Sequence, residues 1–362
     1  MSPLALPPCP RILVIALRRL GDVLLTTPLI RSLRCAYREA RIDMLVFADT
    51  AGILEGNPDI DQIIKMPARP AAWQSVACAA RLARHYDLAI STQSGDRPTG
   101  FALLAGHIAV APVEDRFSGH IKRRLLRRTV AHDPRAHRVE ALLRLADALG
   151  VQRVPEVVPP RARLQPELPD SPFAVVHAAP MFHYKRWTAE GWRALAQALA
   201  ASGLCVVATG GPAPAERAYL DFIWNGTCVI RRDGQLGWGE LAGVISSARV
   251  FIGPDTSVTH LAAATGCPTV ALYGPTDPRL WGPWPIHGLS EPWAATGAMQ
   301  RRGNIFLVQH AFPCTPCQLE GCERSLESRS ACLEALSLEQ VMQAVDEALG
   351  MADQSQAQSD RR

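Results

Sequence analysis

The stretch "RILVIALRRLGDVLLTTPLIRSLRCAYREARIDMLVFA", residues 11–48, decides the fold. An unbroken apolar run over residues 11–17 predicts a buried strand, the periodic segment over residues 22–40 predicts a helix, and residues 42–48 predict a second strand. Strands that are apolar along their whole length and joined by helices are typical of a parallel sheet covered on both faces. The stretch therefore predicts an α/β fold.

The same alternation recurs along the 362 residues and divides the chain in two. A helix over residues 71–85 and a strand over residues 86–92 continue the first half, and further strands begin near residues 173, 204, 248 and 269. Six prolines between residues 155 and 172 predict an extended linker. We expect two Rossmann-like, doubly wound domains over residues 1–165 and 166–336, facing a central cleft, then a helix over residues 337–350 and a disordered tail over residues 351–362.

Composition narrows the class of protein. Hydrophobic residues make up 48% of the chain and charged residues 20%, which is typical of a well-packed soluble protein. No apolar run approaches the roughly 18 to 20 residues that cross a bilayer, and the first ten residues lack the basic start of an export signal. We therefore expect a cytoplasmic protein whose ten cysteines are reduced thiols.

Charge is distributed unevenly between the halves. Residues 1–165 hold 24 Lys and Arg against 15 Asp and Glu, whereas the remainder holds 14 against 19. The densest basic cluster is "HIKRRLLRR", residues 120–128. Such a cluster suits nucleic acid, an anionic membrane surface or a phosphorylated substrate, and it also suits an ordinary solvated helix face.

The segment "ARVFIGPDTSVTHLAAATG", residues 248–266, has the pattern of an anion site. A strand ends at Asp255, and Thr256, Ser257, Thr259 and His260 open an Ala-rich helix. The first turn of a helix leaves backbone N–H groups without partners, and the helix dipole favours negative charge there, so a diphosphate is a natural ligand. The alternative is an ordinary helix capped by Asp255.

Three single residues are candidates for chemistry, each with a plain alternative. Lys185 follows a strand in "HAAPMFHYKRW" and could neutralise a phosphate, or lie on the surface. Glu216 follows the turn "GG" and could bind ribose hydroxyls, or only stabilise the first turn of its helix. Asp22 follows the first strand and could be a helix N-cap or a reacting carboxylate.

Other motifs discriminate between classes of site. The cysteines of "CTPCQLEGCERSLESRSACL" could bind zinc or form a reduced, packed loop; they are Cys314, Cys317, Cys322 and Cys332. No G-x-G-x-x-G follows a predicted strand, and the sequence contains no Walker A motif, G-x-S-x-G or H-E-x-x-H. These absences disfavour dinucleotide dehydrogenases, P-loop NTPases and serine hydrolases.

Taken together, the residues resemble the family of bacterial lipopolysaccharide heptosyltransferases (glycosyltransferase family 9), which have the GT-B fold. The motifs "RILVIALRRLGDVLLTTPLIRSL", "FADTAGILEGNPDID", "SGDRPTG", "KRW" and "GPDTSVTHLAAATGCPTVALYGPTDPRLWGPW" stand in the family's order over nearly the whole chain. Within the family, "LLTTPLI", "LWGPW" and the cysteine-rich end look most like the heptosyltransferase III branch.

The resemblance implies transfer of heptose from ADP-heptose to the lipopolysaccharide inner core, with inversion and without a metal or cofactor. Asp22 would be the general base, and Lys185 would stabilise the departing ADP. The donor site would also include Glu216, Asp255, His260 and the helix start at Thr256, Ser257 and Val258.

In the first domain, a set of basic residues fits a phosphorylated, membrane-embedded acceptor: Arg97, Lys122, Arg123, Arg124 and Arg127. The enzyme would then work peripherally at the cytoplasmic face of the inner membrane, without nucleic acid. Another nucleotide-sugar, a protein acceptor and a nucleotide-binding oxidoreductase remain alternatives.

Overall fold

The computed structural model describes residues 4–164 and 166–359, without the side chains of residues 354–359. The chain forms two compact units that divide between Pro160 and Arg161. This boundary lies inside the proline-rich segment, slightly before the one at 165/166 expected from the sequence. We call residues up to Pro160 the first unit and residues from Arg161 the second unit.

The first unit is built on a six-stranded parallel sheet in the order β3-β2-β1-β4-β5-β6. Its strands are β1 (Arg11–Ala16), β2 (Arg41–Phe47), β3 (Gln62–Met66), β4 (Tyr86–Ser91), β5 (Gly106–Val113) and β6 (Arg128–Ala131). Its helices are α1 (Leu20–Leu24), α2 (Thr27–Ala36), α3 (Ala72–Leu82), α4 (Asp96–Ala105), α5 (Phe117–Leu125) and α6 (Arg138–Leu149), with a 3-10 helix at Ala48–Leu54.

The second unit contains a seven-stranded sheet in the order β12-β13-β11-β10-β7-β8-β9, in which only the β12–β13 pair is antiparallel among the described strands. Its strands are β7 (Phe173–His177), β8 (Cys205–Thr209), β9 (Ile230–Arg231), β10 (Val250–Pro254), β11 (Thr269–Tyr273), β12 (Met299–Arg302) and β13 (Ile305–Gln309). Its helices are α7 (Ala189–Ala201), α8 (Pro214–Trp224), α9 (Trp238–Ser246), α10 (Ser257–Thr265), α11 (Pro278–Trp281), α12 (Ala331–Glu334) and α13 (Leu338–Ser359), with a 3-10 turn at His183–Lys185.

The strand orders explain the apolar runs in the sequence. Strands β1, β7, β10 and β11 are central, and almost every residue in them is buried because helices cover both faces of each sheet. The predicted α/β class with two parallel-sheet domains is confirmed. In the described part of the chain, no helix is long and apolar enough to span a membrane.

Two predicted helices differ from the structure. The helix expected over residues 22–40 is divided into α1 and α2, because Pro28 has no N–H to donate to the carbonyl of Leu24. The hydroxyl of Thr27 donates to that carbonyl instead, at 2.8 Å.

The C-terminal helix continues to Ser359, through most of the tail expected to be disordered. Gly350 alone costs only about 1 kcal/mol in a helix, and no proline follows it. Residues 360–362 lie outside the described residues.

Candidate functional site

Both sheets bring candidate residues to the strand pair at which their strand order reverses. In the first unit this pair is β1 and β4, and in the second unit it is β7 and β10. Ligands of doubly wound folds bind outside the carboxyl ends of the strands at such a switch point. Asp22 follows β1, whereas Lys185 follows β7 and Asp255 follows β10.

Asp22 lies within the short helix α1. The N-cap of this helix is Arg19, so the interpretation of Asp22 as an N-cap is wrong: the residue stands in the first helical turn. A carboxylate in a first turn is favoured by the helix dipole. The residue is only 8% exposed, which makes the contacts of its carboxylate important.

Two arginines contact the same carboxylate oxygen of Asp22. The Nε atoms of Arg18 and Arg138 lie 3.1 Å and 3.0 Å from Oδ1. The terminal nitrogens of Arg138 each lie 3.4 Å from the carbonyl oxygen of Thr92, just after β4. Thr92 in turn donates from its N–H and its hydroxyl to the carbonyl of Ile15 in β1. Arg138 therefore connects the ends of both switch-point strands with the carboxylate.

The guanidinium group of Arg138 is largely desolvated. Its side chain is 13% exposed, against 42% for that of Arg18. Burial lowers the pKa of the Arg138 guanidinium to about 10; the Asp22 carboxylate opposes this shift, and the Arg18 charge adds to it. Arg138 consequently remains a cation at neutral pH and offsets the Asp22 charge.

In the second unit, the ammonium of Lys185 contacts the carboxylate of Asp255. The two residues are 70 positions apart and meet because β7 and β10 are parallel neighbours. Asp255 also accepts hydrogen bonds from the hydroxyl groups of Thr276, at 2.6 Å, and of Tyr273, at 3.4 Å. Asp255 therefore fixes the end of the Lys185 side chain at this edge of the sheet.

The pKa values at this pair reflect its burial. Burial acts to raise the pKa of Asp255, but the charges of Lys185 and His260 and the hydrogen bonds from Lys185 and Thr276 outweigh it, so the pKa lies below its ordinary value. The pKa of Tyr273 is raised well above its ordinary value by burial and by the Asp255 carboxylate. Asp255 is therefore an anion and Tyr273 a neutral donor.

Helix α10 begins directly beside this pair. Its N-cap is Thr256, whose hydroxyl accepts a hydrogen bond from the N–H of Thr259, so Asp255 is not the cap. The backbone N–H groups of Ser257 and Val258 belong to the first turn, where helices bind anions. The structure thus brings Lys185, Asp255 and the start of α10 together, and their binding of an anion stays a prediction.

Glu216 follows β8, the strand next to β7, and is bound to its own loop. Its Oε1 accepts a hydrogen bond from the N–H of Gly211, at 2.5 Å. A Cβ atom at Gly211 would lie 2.6 Å from Oε2, so the glycine is required for this close approach. The carboxylate remains half-buried at the end of β8, where Oε2 could still accept from a hydroxyl group.

The basic residues of the first unit are not equivalent. Lys122 is held by the carboxylate of Asp96, at 2.7 Å, and by the carbonyl of Ser94. Arg97 packs against the ring of Phe47, with 5.9 Å from its guanidinium carbon to the ring centroid. The remaining candidates lie exposed on or after α5: Arg123, Arg124 and Arg127.

Sequence reasoning missed two cations of the site. Arg138 carries no local signal, because only the sheet order brings the start of α6 to β1. Arg186, next to Lys185, stacks 3.8 Å over the ring of Tyr219. Burial lowers the pKa of Arg186, while Tyr219, Glu327 and Glu216 act in the opposite direction. The motif "KRW" places Arg186 directly after Lys185, so the sequence offered Arg186 as a candidate, but the prediction named only the lysine.

The cysteine-rich segment provides no metal-binding group in the structure. No three His, Cys, Asp or Glu side chains in the described ranges are arranged to hold a metal ion. All ten cysteines are free. Burial raises the pKa of the Cys332 thiol, and the hydrogen bond with Thr315 opposes this shift. The nearby thiols of Cys317 and Cys322 raise the pKa further, so the three cysteines are neighbours.

Comparisons with known proteins identify the family of the chain. The family model for glycosyltransferase family 9 (heptosyltransferase) matches residues 76–290. The chain is 30% identical to lipopolysaccharide heptosyltransferase 3 of Escherichia coli over 294 residues, which cover 76% of this chain and 86% of that protein. The resemblance found in the sequence, including its heptosyltransferase III branch, is confirmed.

Solved structures show the same fold. The structure of the ADP-heptose lps heptosyltransferase II of Escherichia coli superposes with a TM-score of 0.72 at 19% identity, over 95% of this chain and 99% of that one. An Escherichia coli heptosyltransferase determined with ADP gives a TM-score of 0.70 at 21% identity, over 93% and 99%. The fold is therefore GT-B.

Proposed function

The chain belongs to glycosyltransferase family 9 (heptosyltransferase), and on that premise we propose that it transfers a heptosyl group from ADP-heptose to a hydroxyl group of the lipopolysaccharide inner core. The names of its relatives support this donor and this acceptor. The observation that carries the proposal is the Asp22 carboxylate, buried at the switch point and held by two arginines. An oxidoreductase is set aside, because members of the family are glycosyltransferases.

In the proposed reaction, Asp22 is the general base. An acceptor hydroxyl is a poor nucleophile at neutral pH, so a carboxylate within hydrogen-bond reach takes its proton as the new bond forms. The acceptor oxygen bonds to the anomeric carbon, the bond from that carbon to the phosphate oxygen breaks, and ADP leaves with the bonding electrons. Attack opposite the leaving group inverts the anomeric centre.

The arginines give this carboxylate its orientation. Arg138 contacts Oδ1 of Asp22 and is itself fixed by the carbonyl of Thr92. Because both guanidinium groups lie beside Oδ1, we propose that Oδ2 is the oxygen that receives the proton. Arg138 thus acts as a positioning residue, whereas Asp22 contacts the acceptor.

The departing diphosphate is stabilised by the second unit. Negative charge grows on the leaving ADP, and Lys185 with the N–H groups of Ser257 and Val258 supplies preorganised donors. Asp255 holds Lys185 in place, and we propose that His260 also belongs to the donor site. We propose that these groups act in place of a metal ion, and that Oε2 of Glu216 accepts from a ribose hydroxyl.

The acceptor contacts fall on the basic residues of the first unit. Arg97 lies at the start of α4, just after β4, and Arg123 makes an ion pair with Asp115, just after β5, so both lie near the carboxyl edge of the sheet that holds Asp22. Lys122 supports this edge through Asp96. We propose that the arginines bind core phosphates, and that the enzyme works at the cytoplasmic face of the inner membrane.

One assay tests donor, acceptor and base together. Wild type and Asp22→Asn are incubated with ADP-heptose and lipopolysaccharide cores truncated at successive sugars, with and without EDTA. We expect one core to be glycosylated regardless of EDTA, and the variant to be slower by roughly 10²- to 10⁴-fold. Turnover of a different nucleotide-sugar, or of a protein acceptor, would replace the proposed substrates.

Asp43→Asn is the matched control for this assay. Asp43 is also a buried aspartate of the first unit, but it lies at the start of β2 and accepts a hydrogen bond from the hydroxyl of Tyr86. This variant should keep wild-type kcat. If Asp22→Asn melts normally and retains near-normal activity, the base is not Asp22.

A further inference from the structure

Large apolar side chains are exposed on one face of the first unit. In the described part of this unit they all lie on helices α3, α4 and α5: Trp73, Val76, Leu104, Phe117, Ile121 and Leu125. These helices form the crossovers β3–β4, β4–β5 and β5–β6, which run in one direction across the sheet. Right-handed crossovers in one direction lie on the same face of a sheet. The exposed apolar residues therefore share one face.

Helix α5 concentrates this apolar surface. Phe117, Ile121 and Leu125 follow each other at four-residue spacing and are 83%, 48% and 61% exposed. Residues at this spacing form a stripe along one side of a helix. The stripe is larger than the scattered single apolar residues that are ordinary on protein surfaces.

The opposite side of α5 is packed tightly onto the unit. A Cβ atom at Gly119 would lie 1.9 Å from the carbonyl oxygen of Glu114, so this side fits only because residue 119 is glycine. Lys122, on the same side, is bound to Asp96 and Ser94. The packing fixes the rotation of the helix and directs the stripe to solvent.

Basic side chains lie on both sides of α5: Arg124 is beside the stripe, next to Leu125, whereas Arg123 is four residues after Gly119 and lies on the packed side. Arg116 and Arg123 make exposed ion pairs with Glu114 and Asp115 at 3.0 Å and 3.3 Å, and such pairs contribute little. Arg124, on the helix, and Arg127, just after it, are also exposed. An apolar stripe with an aromatic residue, bordered by arginines, is the pattern of helices that lie in the interface of an anionic bilayer.

We propose that α5 docks the first unit on an anionic bilayer surface, with its apolar stripe among the lipid headgroups and its arginines on the anionic lipids. The arginines argue against a second copy of the chain as the occupant, because two facing stripes would bring like charges together. The proposal deepens the membrane contact proposed above. It also gives the exposed arginines of α5 a lipid partner in addition to the acceptor.

Vesicle binding tests the surface without any transfer reaction. The full chain is mixed with vesicles of phosphatidylcholine alone or with 30% phosphatidylglycerol, all lacking lipopolysaccharide, and bound protein is measured by flotation. We expect binding to the anionic vesicles that weakens as salt is added. The double variant Arg124→Gln, Arg127→Gln should weaken partition by about fivefold for each arginine removed.

The stripe itself is tested by the triple variant Phe117→Gln, Ile121→Gln, Leu125→Gln. We expect its partition into anionic vesicles to fall by roughly tenfold or more, with an unchanged melting temperature. The matched control is Phe222→Gln, Leu319→Gln, Leu326→Gln, which removes three exposed apolar residues from the second unit and should bind like wild type.

Three outcomes would overturn the proposal. The first is a wild type that does not bind anionic vesicles, and the second is a stripe variant that binds as well as the wild type. The third is a wild type that is a dimer in light scattering and a stripe variant that is a monomer, which would assign the stripe to a contact between copies. If the wild type binds anionic vesicles but has no transferase activity, the proposed function is wrong and the docking proposal stands. Transfer to a deacylated, water-soluble core should be unaffected in the stripe variant.

Discussion

The two units use the same position in the fold with opposite charge arrangements. In the first unit, the carboxylate of Asp22 follows β1 and is contacted by two arginines. In the second unit, the ammonium of Lys185 follows β7 and is contacted by the carboxylate of Asp255. Strand order therefore determines where a site lies, whereas a few charged side chains determine its chemistry.

The groups that contact Asp255 and those that contact Asp22 also differ in burial. Asp255 is only 7% exposed, and its carboxylate also accepts hydrogen bonds from the hydroxyl groups of Tyr273 and Thr276. Asp22 has one enclosed partner, Arg138, and one open to solvent, Arg18. We therefore expect the first unit to depend on one arginine much more than on the other.

Among the residues that hold the two site carboxylates in place, the largest effect should come from Arg138. Arg138→Gln removes the enclosed cation that orients Asp22, so we expect kcat to fall by roughly 10- to 100-fold while the KM values stay near those of the wild type. Arg138→Lys, which keeps the charge, should recover part of the loss. Steady-state kinetics with both substrates provide the measurement.

Arg18→Gln is the control for this prediction. Arg18 contacts the same oxygen atom but is exposed to solvent, and exposed pairs contribute little, so kcat should fall by less than about fivefold. Equal losses in the two variants, or a rise in KM alone, would contradict a positioning role for Arg138.

In the second unit, Asp255→Asn should lower the free energy of unfolding at pH 7 by about 3 kcal/mol, because a buried pair then loses one partner. The pKa of Asp255 lies below its ordinary value of 3.8, so its stabilisation is fully present above that pH and is lost as the pH falls through the lower value. Wild type and variant should therefore converge at low pH. Tryptophan fluorescence during urea unfolding reports mainly on this unit, since only Trp73 lies outside it.

The exposed pair of Asp221 with Arg231, at 2.9 Å, gives the comparison for Asp255. Asp221 is 70% exposed at its side chain, so Asp221→Asn should cost less than about 1 kcal/mol. A loss in Asp255→Asn that is independent of pH down to the acid transition would show that the carboxylate does not stabilise the fold by its charge.

The smallest effect concerns the start of α10. Thr256→Ala removes the N-cap and should cost about 1 kcal/mol of stability, similar to Thr188→Ala at the N-cap of α7. Thr256→Ser should retain both stability and donor affinity. If the start of α10 binds the diphosphate, Thr256→Ala raises the KM for ADP-heptose, whereas Thr188→Ala and Thr256→Ser do not.

Much of the fold was predictable because its signals are local. Apolar runs indicated the strands, the prolines indicated the boundary region, and the segment from Asp255 to Val258 indicated a helix start suited to anions. Local patterns also misled in places. Asp22 resembled an N-cap because acids are common there, yet the helix begins earlier, at Leu20.

The cluster over residues 120–128 shows a second limit of pattern reasoning. Its basic letters look equivalent in the sequence, but Gly119 fixes the rotation of α5, so Lys122 points to Asp96 while Arg123 and Arg124 remain exposed. The apolar stripe of α5 is hard to recognise in the sequence, because charged residues dominate the composition of the segment.

The sequence by itself determined the alternation of strands and helices, the two units and the family, since burial and helix signals depend on neighbouring residues. Only the tertiary structure decided which charges meet. Arg138 reaches Asp22 because β1 lies beside β4, and Lys185 reaches Asp255 because β7 lies beside β10. Pairing between distant residues depends on strand order, and strand order is not written in any local pattern.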